Sequence, residues 1–131
     1  MKPTVVVIDD EPAIVEVVRD ALEDVDVTTI GCIHGPEANA CIRREQPKLV
    51  ILDVQMPGVD GVEVFRTMRS EPNTQTIPVI FFTANVEKLK QRLPEYEGLG
   101  ATLLPKPFNV VRLLAMVEAA LVEPESPDTG L

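Results

Sequence analysis

The sequence contains no tryptophan, one tyrosine, one histidine and two cysteines in 131 residues. Two cysteines cannot supply the disulfide framework of a small secreted domain. Cys32 and Cys41 also lack a metal-ligand spacing. Cys41 falls on the apolar face of a predicted helix, so both are read as reduced, structural thiols. Positive charge is short as well, with 12 Lys and Arg against 21 Asp and Glu and a net charge of −9. That balance argues against a nucleic-acid groove or an anionic membrane as the direct partner. No apolar run reaches the length of a transmembrane helix. The chain enters a strand pattern at Thr4 with no preceding signal-peptide pattern. The expected location is therefore the cytoplasm. No Gly-rich loop follows that first strand, which leaves a dinucleotide-binding reading without support.

What is present is one ordinary domain with a 45% apolar composition. Thr4 to Ile8 is a β-branched run that ends in Asp9-Asp10-Glu11. Pro12 suits the first turn of a helix, which Ile14, Val15, Val18, Leu22 and Val25 continue at helical spacing. Val27 to Ile30 predicts a second strand. Gly35-Pro36 opens a second helix bearing Ala38, Cys41 and Ile42, and Pro47 stops it. Lys48 to Asp53 is an apolar strand that ends in a single acid, before the turn residues Pro57-Gly58. Asp60 and Glu63 stand in capping-box spacing at the head of a third helix. Pro78 to Thr83 is the fourth strand, and a weaker helix is expected from about Val86 to Leu93. Ala101 to Leu104 is a short fifth strand. Asn109 caps a last helix through Val110, Leu113, Leu114, Val117 and Leu121. Residues 1–122 are read as the domain, and 123–131, rich in Pro and acids, as a disordered tail or the start of a linker. The chain is then either a lone domain or the N-terminal piece of a longer protein, and Met1 favours a natural start.

Five strands alternating with five helices predict a three-layer, doubly wound (βα)5 parallel sheet with right-handed crossovers. Ligands of such sheets bind at the carboxyl ends of the strands. Asp9, Asp10, Asp53, Thr83 and Lys106 all fall at that edge. Singly, each has a plain structural explanation. Asp10 and Glu11 suit a helix N-terminus, Asp53 a turn, Thr83 a strand, and Lys106 a solvated surface. Jointly, those explanations leave unexplained why every polar exception falls at one end of an apolar sheet. Converging carboxylates call for a cation, and Mg²⁺ is a hard ion that works with one or two carboxylates plus phosphate oxygens. With a lysine and a hydroxyl beside them, these are the parts for phosphoryl transfer to an aspartate.

The fragments Val-Ile-Asp-Asp-Glu (7–11), Leu-Asp-Val-Gln-Met-Pro-Gly-Val-Asp-Gly (52–61), Phe-Thr-Ala (82–84) and Pro-Lys-Pro-Phe (105–108) resemble the receiver domain of bacterial two-component response regulators. The resemblance runs from Val5 to about Leu121. It implies a flavodoxin-like fold of strand order 2-1-3-4-5. It implies that Asp53 accepts a phosphoryl group from the phosphohistidine of a histidine kinase or histidine phosphotransfer domain. Asp10 and Asp53 would bind Mg²⁺ through side chains, Gln55 through its backbone carbonyl, and Asp9 through a metal-bound water. Lys106 would pair with the phosphoryl oxygens, Thr83 would turn its hydroxyl onto them, and Lys106-Pro107 would be cis. Such a domain is a switch that assists only its own phosphorylation and dephosphorylation, not a metabolic enzyme. Leu103 replaces the usual Tyr or Phe of strand five, Pro105 removes a backbone donor before the lysine, and Gln55 and Asn85 hold two positions that tune hydrolysis in this family. His34 is read as a surface residue. The fourth helix, with Lys88, Lys90 and Arg92, is the expected face for a dimer or downstream partner. Two further readings stand beside this one. The first is a receiver-shaped adaptor that is not phosphorylated. The second is a Mg²⁺-dependent phosphatase with an aspartyl nucleophile, which Gln55 disfavours because such enzymes place a second Asp there.

Overall fold

The computed structural model describes residues 2–122, and the tail reading for 123–131 lies outside them. The strands are β1 (Thr4–Ile8), β2 (Thr28–Cys32), β3 (Leu49–Asp53), β4 (Gln55–Met56), β5 (Val59–Asp60), β6 (Val79–Thr83) and β7 (Ala101–Pro105). The α-helices are α1 (Pro12–Ala21), α2 (Ala38–Glu45), α3 (Gly61–Ser70), α4 (Glu87–Lys90), α5 (Leu93–Gly98) and α6 (Val110–Leu121). The five long strands form one sheet in the order β2-β1-β3-β6-β7, every neighbouring pair parallel. This is the doubly wound order expected, with β3 at its centre.

Strand periodicity divides the apolar residues between two cores. Val6, Ile8, Val50, Leu52, Val79 and Phe81 face one side, with Ile42, Phe65, Met68 and Tyr96 from the covering helices. Val5, Val7, Leu49, Ile51, Ile80 and Phe82 face the other, under Val15, Val18, Leu113 and Val117. All five residues of β3 are buried, Asp53 included. That is the pattern of a strand covered on both faces, and it leaves only the strand ends open to solvent.

Several local expectations are refined. β2 runs from Thr28 to Cys32, not from Val27 to Ile30. Gly35–Glu37 is a 3₁₀ turn ahead of α2. Gln46 closes α2 at a left-handed φ of 45°, with Pro47 next. The capping box at α3 is half formed. The Asp60 carboxylate accepts from Val62 N at 2.9 Å, while Glu63 pairs with Arg66 at 3.0 Å. The expected helix from Val86 to Leu93 is a correction. It ends at Lys90, and a second helix begins at Leu93 with Pro94 in its first turn. Pro94 has no N–H to continue the ladder of α4. The second helix survives because Tyr96, 4% exposed, anchors it edge-on against Phe65 and Phe81. Lys106-Pro107 is cis, as expected.

Candidate functional site

Asp53 leaves the central strand with its carboxylate 4% exposed as a residue, and Asp9 leaves β1 fully buried. One carboxylate oxygen from each of Asp9, Asp10 and Asp53 can be chosen so that all lie within 4.8 Å of one another. β1 and β3 are adjacent and parallel, with Ile8 beside Leu52, so the next residues of both strands emerge side by side. The chain then turns immediately. Met56-Pro57-Gly58-Val59 is a tight hairpin between β4 and β5, with Gly58 at φ 76°, the positive value a type II turn requires at that position. Gly61 closes the circuit. Its N–H donates to the Val54 carbonyl at 2.8 Å. A Cβ on Gly61 would lie 2.2 Å from the Asp53 carbonyl oxygen and 2.8 Å from Val54 Cα. Only glycine lets the head of α3 pass so close to the end of β3.

Lys106 arrives from β7. Its N–H donates to the Thr83 carbonyl at 2.8 Å, one residue beyond Pro105, so the proline does not unpair the strand ends. Its ammonium donates to Asp9 Oδ2 at 2.7 Å and stands 3.6 Å from Asp53 Oδ2. Asp9 Oδ1 accepts from Glu11 N at 3.0 Å, and Asp53 Oδ1 from Gln55 N at 3.2 Å. Thr83 is buried, and its hydroxyl accepts from Asn85 N at 3.0 Å. At the rim, Lys88 lies 3.5 Å from Asp60 Oδ2.

Charge is crowded here. Burial, then the neighbouring Asp9 carboxylate, push Asp53 up to about 6 from an ordinary 3.8, against the pull of Lys106 and the Gln55 N–H. Burial would lower Lys106, but the hydrogen bond to Asp9 and the charges of Asp9 and Asp53 outweigh it and raise the ammonium above its ordinary value. Such a site gains from a further cation and tolerates anionic oxygens only when one is present.

The structure thus brings Asp9, Asp10, Asp53, Gln55, Thr83 and Lys106 to one edge. His34 is exposed, away from the sheet interior, and Leu103 is half-buried against the core that holds Phe81 and Tyr96. Cys32 and Cys41 are both buried and free. Sequence reasoning missed two contributors. Gly61 reads as a turn residue until its distance to Asp53 is known. Phe82 reads as core, yet its ring lies 4.9 Å from the Lys106 ammonium.

The family model described as the response regulator receiver domain matches residues 5–118. The DNA-binding dual master transcriptional regulator RpaA of Synechocystis is 33% identical over 119 residues, which cover 91% of this chain and 49% of that protein. The chain spans about half the length of the first curated relatives it matches. Among solved structures, the chemotaxis response regulator CheY4 of Vibrio cholerae superposes with a TM-score of 0.80 at 27% identity, over 92% of this chain and 100% of that one. The receiver domain of the sensor histidine kinase PA1611 from Pseudomonas aeruginosa shares the fold, with a TM-score of 0.77 at 22% identity over 91% and 97% of the two chains. That domain was solved with a magnesium ion coordinated in its active-site cleft.

Proposed function

The chain belongs to the response regulator receiver family, and from that membership we propose that Asp53 is the phosphoacceptor of a Mg²⁺-dependent signalling switch. The observation that carries this reading is the meeting of Asp9, Asp10 and Asp53 within one ion's reach, with Lys106 beside them. Side-chain oxygens of Asp10 and Asp53, the Gln55 carbonyl, and Asp9 through water are the proposed Mg²⁺ ligands. The donor set supports Mg²⁺ because it is all hard oxygen and carries excess negative charge. Bound there, Mg²⁺ neutralises carboxylate and phosphoryl charge.

The chain's own residues do the rest. An Asp53 carboxylate oxygen attacks phosphorus in line. The new O–P bond forms as the P–N bond of a phosphohistidine breaks, and the electron pair stays on the imidazole nitrogen. Lys106 moves from Asp9 onto the phosphoryl oxygens, and the Thr83 hydroxyl gives up Asn85 N to donate to them. Positioning and charge neutralisation dominate such a transfer. The partner is a histidine kinase or phosphotransfer domain. The α4–α5 face is the proposed surface for a downstream partner or a second copy. The net charge of −9 supports a domain that does not itself grip nucleic acid or an anionic membrane. No helix among the described residues is long and apolar enough to cross a membrane, which is compatible with a cytoplasmic site of action. Residues 1–122 are the proposed receiver unit.

The test uses Mg²⁺ with a small acyl phosphate or beryllofluoride, comparing wild type with Asp53→Asn by intact mass and spectroscopy. The expected outcome is an Asp53-dependent adduct. Its absence in wild type replaces the switch with an unphosphorylated adaptor. Sustained turnover of a phosphate ester would instead support a phosphatase.

A further inference from the structure

We propose that Phe82 is a positioning residue for Lys106: its ring is a floor on which the ammonium pivots between Asp9 and an anion carried by Asp53. The inference rests on the phosphoacceptor reading above and deepens it.

The Lys106 ammonium has a hydrogen bond to Asp9 at 2.7 Å and stands 3.6 Å from Asp53. The centroid of the Phe82 ring lies 4.9 Å from it. That is within the range where a cation is attracted to the ring face. The ring itself cannot drift. Phe82 is 1% exposed and meets Phe108 edge-on at 5.3 Å. Phe108 follows Lys106 by two residues, so the loop that presents the lysine also braces the ring beneath it.

The chemistry of the step needs such a floor. Lys106 must leave Asp9 and reach the phosphoryl oxygens as the charge moves. A carbonyl or carboxylate in place of the ring would hold the ammonium through a directional hydrogen bond and resist the swing. A π face attracts the charge diffusely, so the nitrogen can change its hydrogen-bond partner while keeping most of that contact. The ring also keeps water off one side of the ammonium, which strengthens its pull on the anion. Phe82 and Thr83 are consecutive, so one strand end supplies both the floor under the lysine and the hydroxyl.

The test measures the lysine directly. In wild type, ring current is expected to shift the Lys106 ε-methylene protons upfield in NMR spectra, the signal being assigned by its loss in Lys106→Arg. Phe82→Leu keeps apolar bulk and removes the ring. It is expected to lose the shift, to bind Mg²⁺ alone with near wild-type affinity, and to accept phosphoryl from an acyl phosphate roughly threefold to tenfold more slowly. Phe82→Tyr restores both the shift and the rate. Unshifted Lys106 protons in folded wild type overturn the proposal whatever the variants do. A wild-type rate in Phe82→Leu overturns it as well. Equal slowing in Phe82→Leu and Phe82→Tyr assigns Phe82 to packing alone and also overturns it. Wild type with no Asp53-dependent adduct, but with the ring-current shift intact, instead overturns the phosphoacceptor reading and leaves the lysine–ring contact standing.

Discussion

Asp53 is held in an environment that disfavours its own charge. Burial and the adjacent Asp9 keep it at about 6, so between roughly pH 4 and pH 6 the native state binds a proton that the unfolded chain has released. In metal-free solution this group therefore lowers stability as pH rises through that window, and the loss is complete above it. Asp53→Asn removes the effect. It is expected to exceed wild type by about 3 kcal/mol at pH 7 and nearly to converge with it near pH 4, read from urea unfolding at both pH values. The principal side chains of the site were legible because each breaks an apolar pattern. Asp9, Asp53 and Thr83 are polar residues at the ends of strands that bury nearly everything else, and Lys106 follows a largely apolar strand. Phe82 was not legible, because an aromatic in a buried strand obeys the pattern, and only distance distinguishes a core ring from one under an ammonium.

At the scale of elements, two joints pin α3 to the sheet, one at the site edge and one at the opposite edge, and neither announces itself by residue type. The first is the passage of α3 past β3 at Gly61. Gly61→Ala puts a methyl against the Asp53 carbonyl. It is expected to cost about 2–3 kcal/mol by overpacking and to displace the acceptor, lowering adduct formation in the beryllofluoride assay more than the stability loss alone explains. The second is Arg69 on α3. Its guanidinium donates to the carbonyls of Leu99 at 2.6 Å, Ile77 at 2.7 Å and Thr74 at 3.3 Å, while lying 4.7 Å from the centre of the Phe65 ring. It thereby ties α3 to the segments that launch β6 and β7. Arg69→Met keeps the stem and removes the donors. The expected loss is about 2 kcal/mol, measured by thermal or urea unfolding. Residue type alone does not mark Arg69 as a joint, because a long basic residue can serve core and surface together. The split of α4 from α5 was missed for a related reason. Pro94 was visible, but the anchor that lets a new helix start there, Tyr96 against Phe65 and Phe81, is a tertiary contact.

Across the whole molecule, a net charge of −9 and a site that concentrates carboxylates make folding and cation binding one problem. Mg²⁺ at about a hundredfold over its dissociation constant is expected to stabilise wild type by about 2–3 kcal/mol, seen as a rise in melting temperature. Asp53→Asn, already relieved of the buried charge, is expected to gain much less, so the two melting temperatures approach each other as Mg²⁺ is added. The three-layer parallel sheet was predictable at this scale, since β-branched runs alternate with helical stripes, whereas the strand order followed from the family resemblance. Helix boundaries were not, because prolines and caps compete with packing over single turns. The aromatic cluster on the α3–α5 side has an optical consequence. The chain has no tryptophan, and its single tyrosine is Tyr96, wedged between α3 and β6. Excited at wavelengths that phenylalanine does not absorb, the protein emits from that one ring. Its emission is therefore a built-in, label-free gauge of whether an event at Asp53 reaches the far side of the sheet, where Leu103 stands in place of an aromatic.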